Sequence, residues 1–274
     1  MEPIELLKEL AEKMIELKQR RWDYKKCILG MKKNGGIWKE NEWPGRYFEY
    51  SFKKNAPYLG ISVCPVQIEN VIFDGNNDNC VLDLKVKGTN IENNHNGIPP
   101  PLISSIFLND KKAMKKAIKK YKSIVYIILL GYFKSEDKKL LECHNWQEKL
   151  IIKEEGELSQ YRQENKKDFE DGKKKPRLLK REFYPRGLLY LEIKNTKDLA
   201  DFNQPHNSNH RSSKNEGKRN PKFQVKKEAI KKYVKAELSL ESYQTEKIKI
   251  KKIKEPKIIK PETEIQQQLE SVLN

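Results

Sequence analysis

The sequence is poor in the residues that build metal sites and disulfide frameworks. Its four cysteines stand at positions 27, 64, 80 and 143, and none belongs to a CxxC pair. His144 follows one of them, but no second ligand pair accompanies it, so a structural zinc site is not indicated. Reduced thiols in an intracellular protein are the simplest explanation. We expect no metal and no cofactor.

Long apolar runs and the common catalytic signatures are also missing. The best apolar run, at 124–133, has about half the length that a bilayer span requires, so we expect no membrane partner. The first predicted helix has as many acidic as basic residues, which supports neither a signal peptide nor a transit peptide. The sequence has no GxSxG, GxxxxGK[ST] or HExxH pattern.

What the sequence does contain is positive charge. The 56 Lys and Arg residues exceed the 39 Asp and Glu residues, for a formal charge of +17. Such an excess favours a polyanionic partner, most often nucleic acid, because phosphate binding releases counterions. The alternatives are a merely soluble surface or a lysine-rich coding bias. The most basic stretch, 172–181, is a candidate phosphate contact or nuclear import signal, or else a solvated loop; its candidate residues are Lys173, Lys174, Lys175, Arg177, Lys180 and Arg181.

The hydrophobic periodicity predicts an N-terminal helix followed by several strands with one further helix between them. We predict helices at 3–20 and 110–121 and strands at 47–53, 58–68, 68–74, 80–87, 123–133, 139–153 and 187–194. A helix between the third and fourth of five barrel strands is the order of an OB-fold. The expected class is therefore mainly β with α: a five-stranded OB-fold barrel with an N-terminal helix and a basic C-terminal tail.

The expected domain organisation follows from this order of elements. Residues 1–46 form an N-terminal helix and loop, and 47–200 form the OB-fold domain with a basic insertion around 154–186. Residues 201–274 form a linker and a basic tail, in which 224–238 and 261–273 are possible partner-docking helices.

A second interpretation concerns the stretch VIFDGNNDNCVLDLKVKG at 71–88. Asp74 followed by Asp83-Leu-Lys85 resembles the D…(D/E)xK order of restriction-type nucleases. In these enzymes carboxylates converge on one Mg²⁺, and the lysine would orient the attacking water. With a turn at 75–79, however, the two aspartates are offset by three residues, roughly 10 Å along the ladder. The Asp-Gly pair is then ordinary turn chemistry, and the nuclease remains an alternative.

The hairpin FDGNNDNCVLDLKV and the segment AIKKYKSIVYIILLGYF also resemble parts of the OB-folds of replication protein A and telomere-end proteins. Nearest is the protein-binding telomere branch, the end-binding β-subunit and its telomerase-recruiting shelterin counterpart. The resemblance, over about 58–153, implies a non-catalytic subunit in the nucleus, at chromosome ends. Its partner would be the telomerase catalytic subunit or another telomere protein, with single-stranded DNA or RNA as a further ligand. The alternative is a basic structural protein of a large ribonucleoprotein, such as a mitochondrial ribosome.

An OB-fold groove binds single strands by stacking bases on aromatic rings and tracking phosphates with lysines. The candidates for this role are Tyr47, Tyr58, Lys85, Lys87, Tyr132 and Trp146. The alternative role of Tyr132 and Trp146 is packing in the protein core. The alternative for the two lysines is that they belong to a solvated strand face.

Overall fold

The protein is described by a computed structural model that covers residues 2–14, 21–56, 64–69, 71–76, 79–91, 105–173, 178–202, 222–241 and 243. The described residues up to Leu240 form one compact unit, and those beyond it belong to a second. The fold is mixed α/β. Within the described ranges, no helix is both long and apolar enough to cross a bilayer.

The helices lie on both sides of one central sheet. They are α1 (Pro3–Met14), α2 (Tyr24–Lys33), α3 (Trp43–Asn55), α4 (Lys111–Tyr121), α5 (Glu142–Glu155), α6 (Gln160–Glu170) and α7 (Lys227–Tyr233), with a 3₁₀ helix at Thr196–Asp201.

The strands vary from two residues to fourteen. They are β1 (Trp22–Asp23), β2 (Val66–Ile68), β3 (Val71–Phe73), β4 (Gly75–Asn76), β5 (Cys80–Asn90), β6 (Ser105–Asp110), β7 (Ser123–Ser135), β8 (Lys180–Ile193), β9 (Lys222–Lys226) and β10 (Val234–Ser239).

The central sheet is a strongly curled half-barrel of five strands in the order β1-β8-β7-β5-β4, and β10 also pairs with β8. β5 and β7 are parallel neighbours joined through α4, while β8 is antiparallel to β7. The barrel is not closed, so the expected closed five-stranded barrel does not form. The helix instead serves as a crossover between two adjacent parallel strands.

The core lies on both faces of β7. Ile124, Tyr126 and Ile128 belong to a cluster that includes the buried side of α4. The alternate residues Val125 and Ile127 are equally buried and face the other side, since successive strand residues point in opposite directions. Burial on both faces explains why β7 is a continuous apolar run, as the sequence indicated.

The predicted strand at 47–53 is wrong, because these residues lie in α3. Phe48 and Phe52 are both fully buried, and Ser51 is buried between them. A separation of four residues places side chains on one face of a helix as well as on one face of a strand. Pro44 at the start of α3 suits a first helical turn.

The predicted fifth strand at 139–153 is also wrong, because α5 occupies most of it. Its buried residues Cys143, Gln147 and Ile151 recur every four positions, which is a helical spacing. The basic insertion expected around 154–186 contains the end of α5, then α6, and then the first half of β8.

The remaining predicted elements are confirmed in whole or in part. α1 confirms the first part of the helix at 3–20, and residues 15–20 lie outside the described ranges. α4 with its Asp110 cap, β5, β7 and the second half of β8 match the predicted 110–121, 80–87, 123–133 and 187–194. Of the predicted strands 58–68 and 68–74, Val66–Ile68 and Val71–Phe73 are strands, and 57–63 lies outside the description.

The tail prediction is only partly comparable. The expected helix at 224–238 is replaced by β9, α7 and β10 in succession, and the expected helix at 261–273 lies outside the described residues.

Gly131 allows β7 and β8 to approach each other where the sheet bends. Between Leu130 and Gly131 the β8 partner moves from Gly187 to Pro185, so the strand carries a bulge, which bends a sheet. A Cβ at Gly131 would lie 2.4 Å from the carbonyl oxygen of Tyr184, closer than any van der Waals contact.

We therefore expect Gly131→Ala to lower the free energy of unfolding by about 1–3 kcal/mol, the usual cost of overpacking. Urea denaturation would measure it. Gly30→Ala is the matched control, because a Cβ there meets nothing within 4 Å and alanine favours the helix. Equal losses of stability in both variants would contradict this explanation of the bend.

Candidate functional site

The register of the β4–β5 hairpin brings two aspartates together. Gly75 pairs with Leu82 and Asn76 with Val81, so the same ladder sets Asp74 opposite Asp83. The two strands are therefore still paired at Asn76 and Val81. The register predicted from a turn at 75–79 is wrong, and so is the three-residue offset that counted against a shared cation.

The two carboxylates belong to a buried polar cluster with Asn109 and Asp110. Asp83 is only 2% exposed and Asp74 only 9%. Asn109 Nδ2 donates a hydrogen bond of 2.7 Å to Asp83 Oδ2, and the Leu84 amide donates one of 2.9 Å to Asp74 Oδ2. Among the described residues, each carboxylate receives its hydrogen bonds on Oδ2, which leaves Oδ1 of each as the oxygen to offer a cation.

Lys85 completes the cluster from the same face of β5. Its Nζ lies 2.5 Å from Asp83 Oδ2, and its side chain keeps 28% of its surface exposed. The face that carries Asp83 and Lys85 is therefore not the solvated strand face that the alternation suggested. It carries a buried acid beside an ammonium group that is partly exposed to solvent.

The start of α4 fixes the far side of the cluster. The carboxylate of Asp110 accepts hydrogen bonds from the amides of Lys112 and Ala113, at 3.0 and 2.9 Å, and so caps the helix. Because Asn109 immediately precedes this cap, its position is set by the end of β6 and the first turn of α4. Asp83 is thus held by a neighbour whose own backbone is anchored.

Electrostatic repulsion is concentrated at Asp74. Burial raises the pKa of Asp74 to about 7, and the negative charges of Asp83 and of Glu49 on α3 add to this rise. Like charges facing each other across a ladder destabilise a sheet. A proton or a cation between the two carboxylates would relieve this cost.

Glu136, another buried acid, shows what a purely structural carboxylate looks like here. It accepts hydrogen bonds from the amides of Cys143 and Leu179, both at 2.8 Å, and from the ring of His144. Burial raises its pKa, but these hydrogen bonds outweigh burial and leave the pKa below its ordinary value. Glu136 thereby ties the start of α5 to the residue that precedes β8.

The cluster fits a hard divalent cation of the magnesium type. Its donors are carboxylate oxygens, and Mg²⁺ is commonly bound through one or two carboxylates with waters and substrate phosphates completing its shell. In the described part of the chain, no three His, Cys, Asp or Glu residues are close enough to form a metal cage. Asp74 and Asp83 would therefore hold such an ion as a pair.

Of the predicted aromatic platforms, the three that the structure describes lie elsewhere and pack against the protein. The Tyr47 ring lies 4.9 Å from that of Trp22, and the Trp146 ring lies 5.7 Å from that of Tyr24. Tyr132 is 6% exposed. Tyr58 lies outside the described residues.

Of the predicted basic residues that the structure describes, only Lys85 forms an ion pair with one of the two aspartates. Lys87 is half-buried, and burial lowers its pKa. Lys173 forms an ion pair with Asp171 and Lys180 one with Glu42, while Arg181 lies 3.6 Å from Glu182. The remaining candidates, Lys174, Lys175 and Arg177, lie outside the described residues.

Asn109 and Glu49 are the site residues that the sequence analysis missed. Asn109 lies in none of the predicted elements, although the apolar run Ile106-Phe107-Leu108 before it is typical of a strand. Glu49 was assigned to the wrong strand at 47–53. The signal for the first was present in the sequence, whereas the second depends on the packing of α3 against β5.

Comparison with protein-family models, with curated proteins and with solved structures finds no match to this chain.

The raised pKa of Asp74 predicts a pH-dependent stability. Its folded pKa is about 7 and an unfolded aspartate has a pKa of about 3.9, so the folded state retains the proton over this interval. Its stabilising contribution is full below pH 4 and is lost as the pH rises to 7. In EDTA, the free energy of unfolding of Asp74→Asn minus that of the wild type should therefore rise by roughly 1–4 kcal/mol from pH 4 to pH 7.

Urea titrations at unit steps from pH 4 to pH 8 measure this difference. Most of the change should be complete by pH 8, because Asp74 is then largely ionised in both states. Curves for the two proteins that run parallel across the whole range would show that Asp74 carries no such shift.

Proposed function

We propose that this chain is a metal-dependent nuclease that hydrolyses phosphodiester bonds of nucleic acid. The observation that carries the proposal is the register that sets Asp74 opposite Asp83, with Lys85 on the same face of β5. This arrangement matches the D…(D/E)xK order in space as well as in sequence. The charge of +17 supports a polyanionic substrate.

The residues of the cluster have separate roles in this proposal. Asp74 and Asp83 would hold a Mg²⁺ ion, which when bound polarises the scissile phosphate and activates water. Asn109 and the amide of Leu84 hold the two carboxylates in place through their Oδ2 atoms.

Lys85 is the group that can reach both the acid and the substrate. Its ammonium group carries three donors and forms an ion pair with Asp83. A remaining donor can orient the attacking water and stabilise charge that develops on the phosphate.

The expected non-catalytic role in a telomere or telomerase complex stays a prediction, as does the ribosomal alternative. Both roles need a ligand surface other than the aspartate pair. Two of the aromatic rings expected to form it, Tyr47 and Trp146, contact other rings of this chain, and the sheet that was to form the groove is not closed.

A cleavage assay tests the proposal. The full chain is incubated with plasmid DNA, single-stranded DNA and RNA in Mg²⁺ or Mn²⁺. We expect cleavage of at least one of these substrates, and its loss in EDTA. Asp83→Asn and Lys85→Gln should each reduce the rate by about 10²–10⁴-fold, the usual contribution of a positioned catalytic group.

The chain supplies a matched control on a different strand. Glu192 and Lys194 on and after β8 form the same acid-x-lysine pattern, with an ion pair of 3.1 Å, but they are not part of the aspartate cluster. Glu192→Gln and Lys194→Gln should therefore cleave at the wild-type rate. Products that are unchanged by Asp83→Asn, in a variant with an unchanged circular dichroism spectrum, would overturn the proposal.

A further inference from the structure

We propose that the exposed lysine face of α4 binds the phosphate backbone of the nucleic acid and directs it to the aspartate cluster. The choice of nucleic acid as the ligand rests on the proposed function. We define the lysine face as the six exposed lysines of this helix: Lys111, Lys112, Lys115, Lys116, Lys119 and Lys120.

In α4 the charged residues and the core residues lie on separate faces of the helix. Pairs of lysines alternate with the buried pairs Ala113-Met114 and Ala117-Ile118. The lysines therefore form two rows, each with a repeat of about 6 Å along the helix axis. Such a repeat is of the same order as the spacing of successive phosphates along a nucleic-acid strand.

Without a ligand, this arrangement of lysines destabilises the helix. Like charges at positions i and i+4 destabilise a helix, and the lysine face contains four such pairs. Lys111 and Lys112 also lie at the positive end of the helix dipole, where acidic residues are favoured. Glu69 offsets part of this repulsion through ion pairs with Lys112 and Lys116. A ligand with several negative charges would offset more.

The position of α4 connects the lysine face to the cluster. The helix begins two residues after Asn109, whose side chain donates to Asp83. At the other end, Lys122 Nζ lies 2.9 Å from Asn79 Oδ1, just before β5. The lysine face thus runs along the hairpin that carries both aspartates, so a strand bound to it passes the site.

A membrane surface is the competing polyanion, and the burial pattern argues against it. A helix that inserts into a membrane interface needs an exposed apolar face, whereas the apolar face of α4 packs in the core.

The test measures nucleic-acid binding in EDTA, so that cleavage plays no part. The four substitutions Lys115→Gln, Lys116→Gln, Lys119→Gln and Lys120→Gln are combined in one variant. Glutamine keeps the helix propensity. The control variant removes the same charge from exposed lysines on and before α5, through Lys138→Gln, Lys139→Gln, Lys149→Gln and Lys153→Gln. Fluorescence anisotropy with labelled 30-nucleotide single strands and duplexes gives Kd over a salt series.

We expect the α4 variant to bind at least about 10-fold more weakly than the control variant at low salt. The slope of log K against log salt should fall by about 3, since each lost phosphate contact lowers it by about 0.7–0.9. Equal losses of affinity in both variants would show that binding depends on net charge and not on α4, and would overturn the proposal. Binding to vesicles with anionic lipid, with no binding to nucleic acid, would also overturn it.

The proposed function and this inference can fail separately. If the wild type binds through α4 but does not cleave in Mg²⁺, the nuclease proposal fails and the binding surface is supported. If the wild type cleaves while the α4 variant binds like the control variant, the lysine face is refuted and the nuclease is not.

Discussion

The meeting of Asp74 and Asp83 across the β4–β5 hairpin is the constraint on which the rest of the site depends. Two acids that are 9% and 2% exposed face each other in one ladder, where their charges repel. Burial and this repulsion raise the pKa of Asp74 to about 7. Proteins retain such arrangements mainly where a proton or a cation is used, because a pair of buried like charges otherwise lowers stability.

The architecture serves to hold this pair and to present it. β5 is supported by β7 along its whole length, and α4 connects the two strands, with Asn109 and Asp110 at its start. The same helix that caps itself on Asp110 therefore fixes Asn109 on Asp83 and turns its lysines to solvent. The position of Asp83 and the exposure of the α4 lysines therefore both depend on this single crossover.

The sequence predicted those elements whose residue pattern fits one type of secondary structure. The apolar run of β7 and the paired lysines of α4 allow only a buried strand and a half-buried helix. The stretch at 47–53 was missed because Phe48 and Phe52 are four residues apart, a spacing that suits a strand and a helix equally. The hairpin register was missed because Asp-Gly-Asn-Asn-Asp-Asn contains several possible turns, and local composition does not decide among them. The aspartate pair depends on that register. The sequence analysis therefore named both aspartates but predicted the wrong offset between them.

A metal position in crystals is the most direct test of the central claim. Crystals of the wild-type chain grown or soaked with Mn²⁺ would be measured for anomalous scattering, together with crystals of Asp83→Asn. We predict one anomalous peak between the carboxylates of Asp74 and Asp83 in the wild type, and its loss in the variant. A fully ordered Asp83–Lys85 ion pair with no peak at the two aspartates would contradict the account.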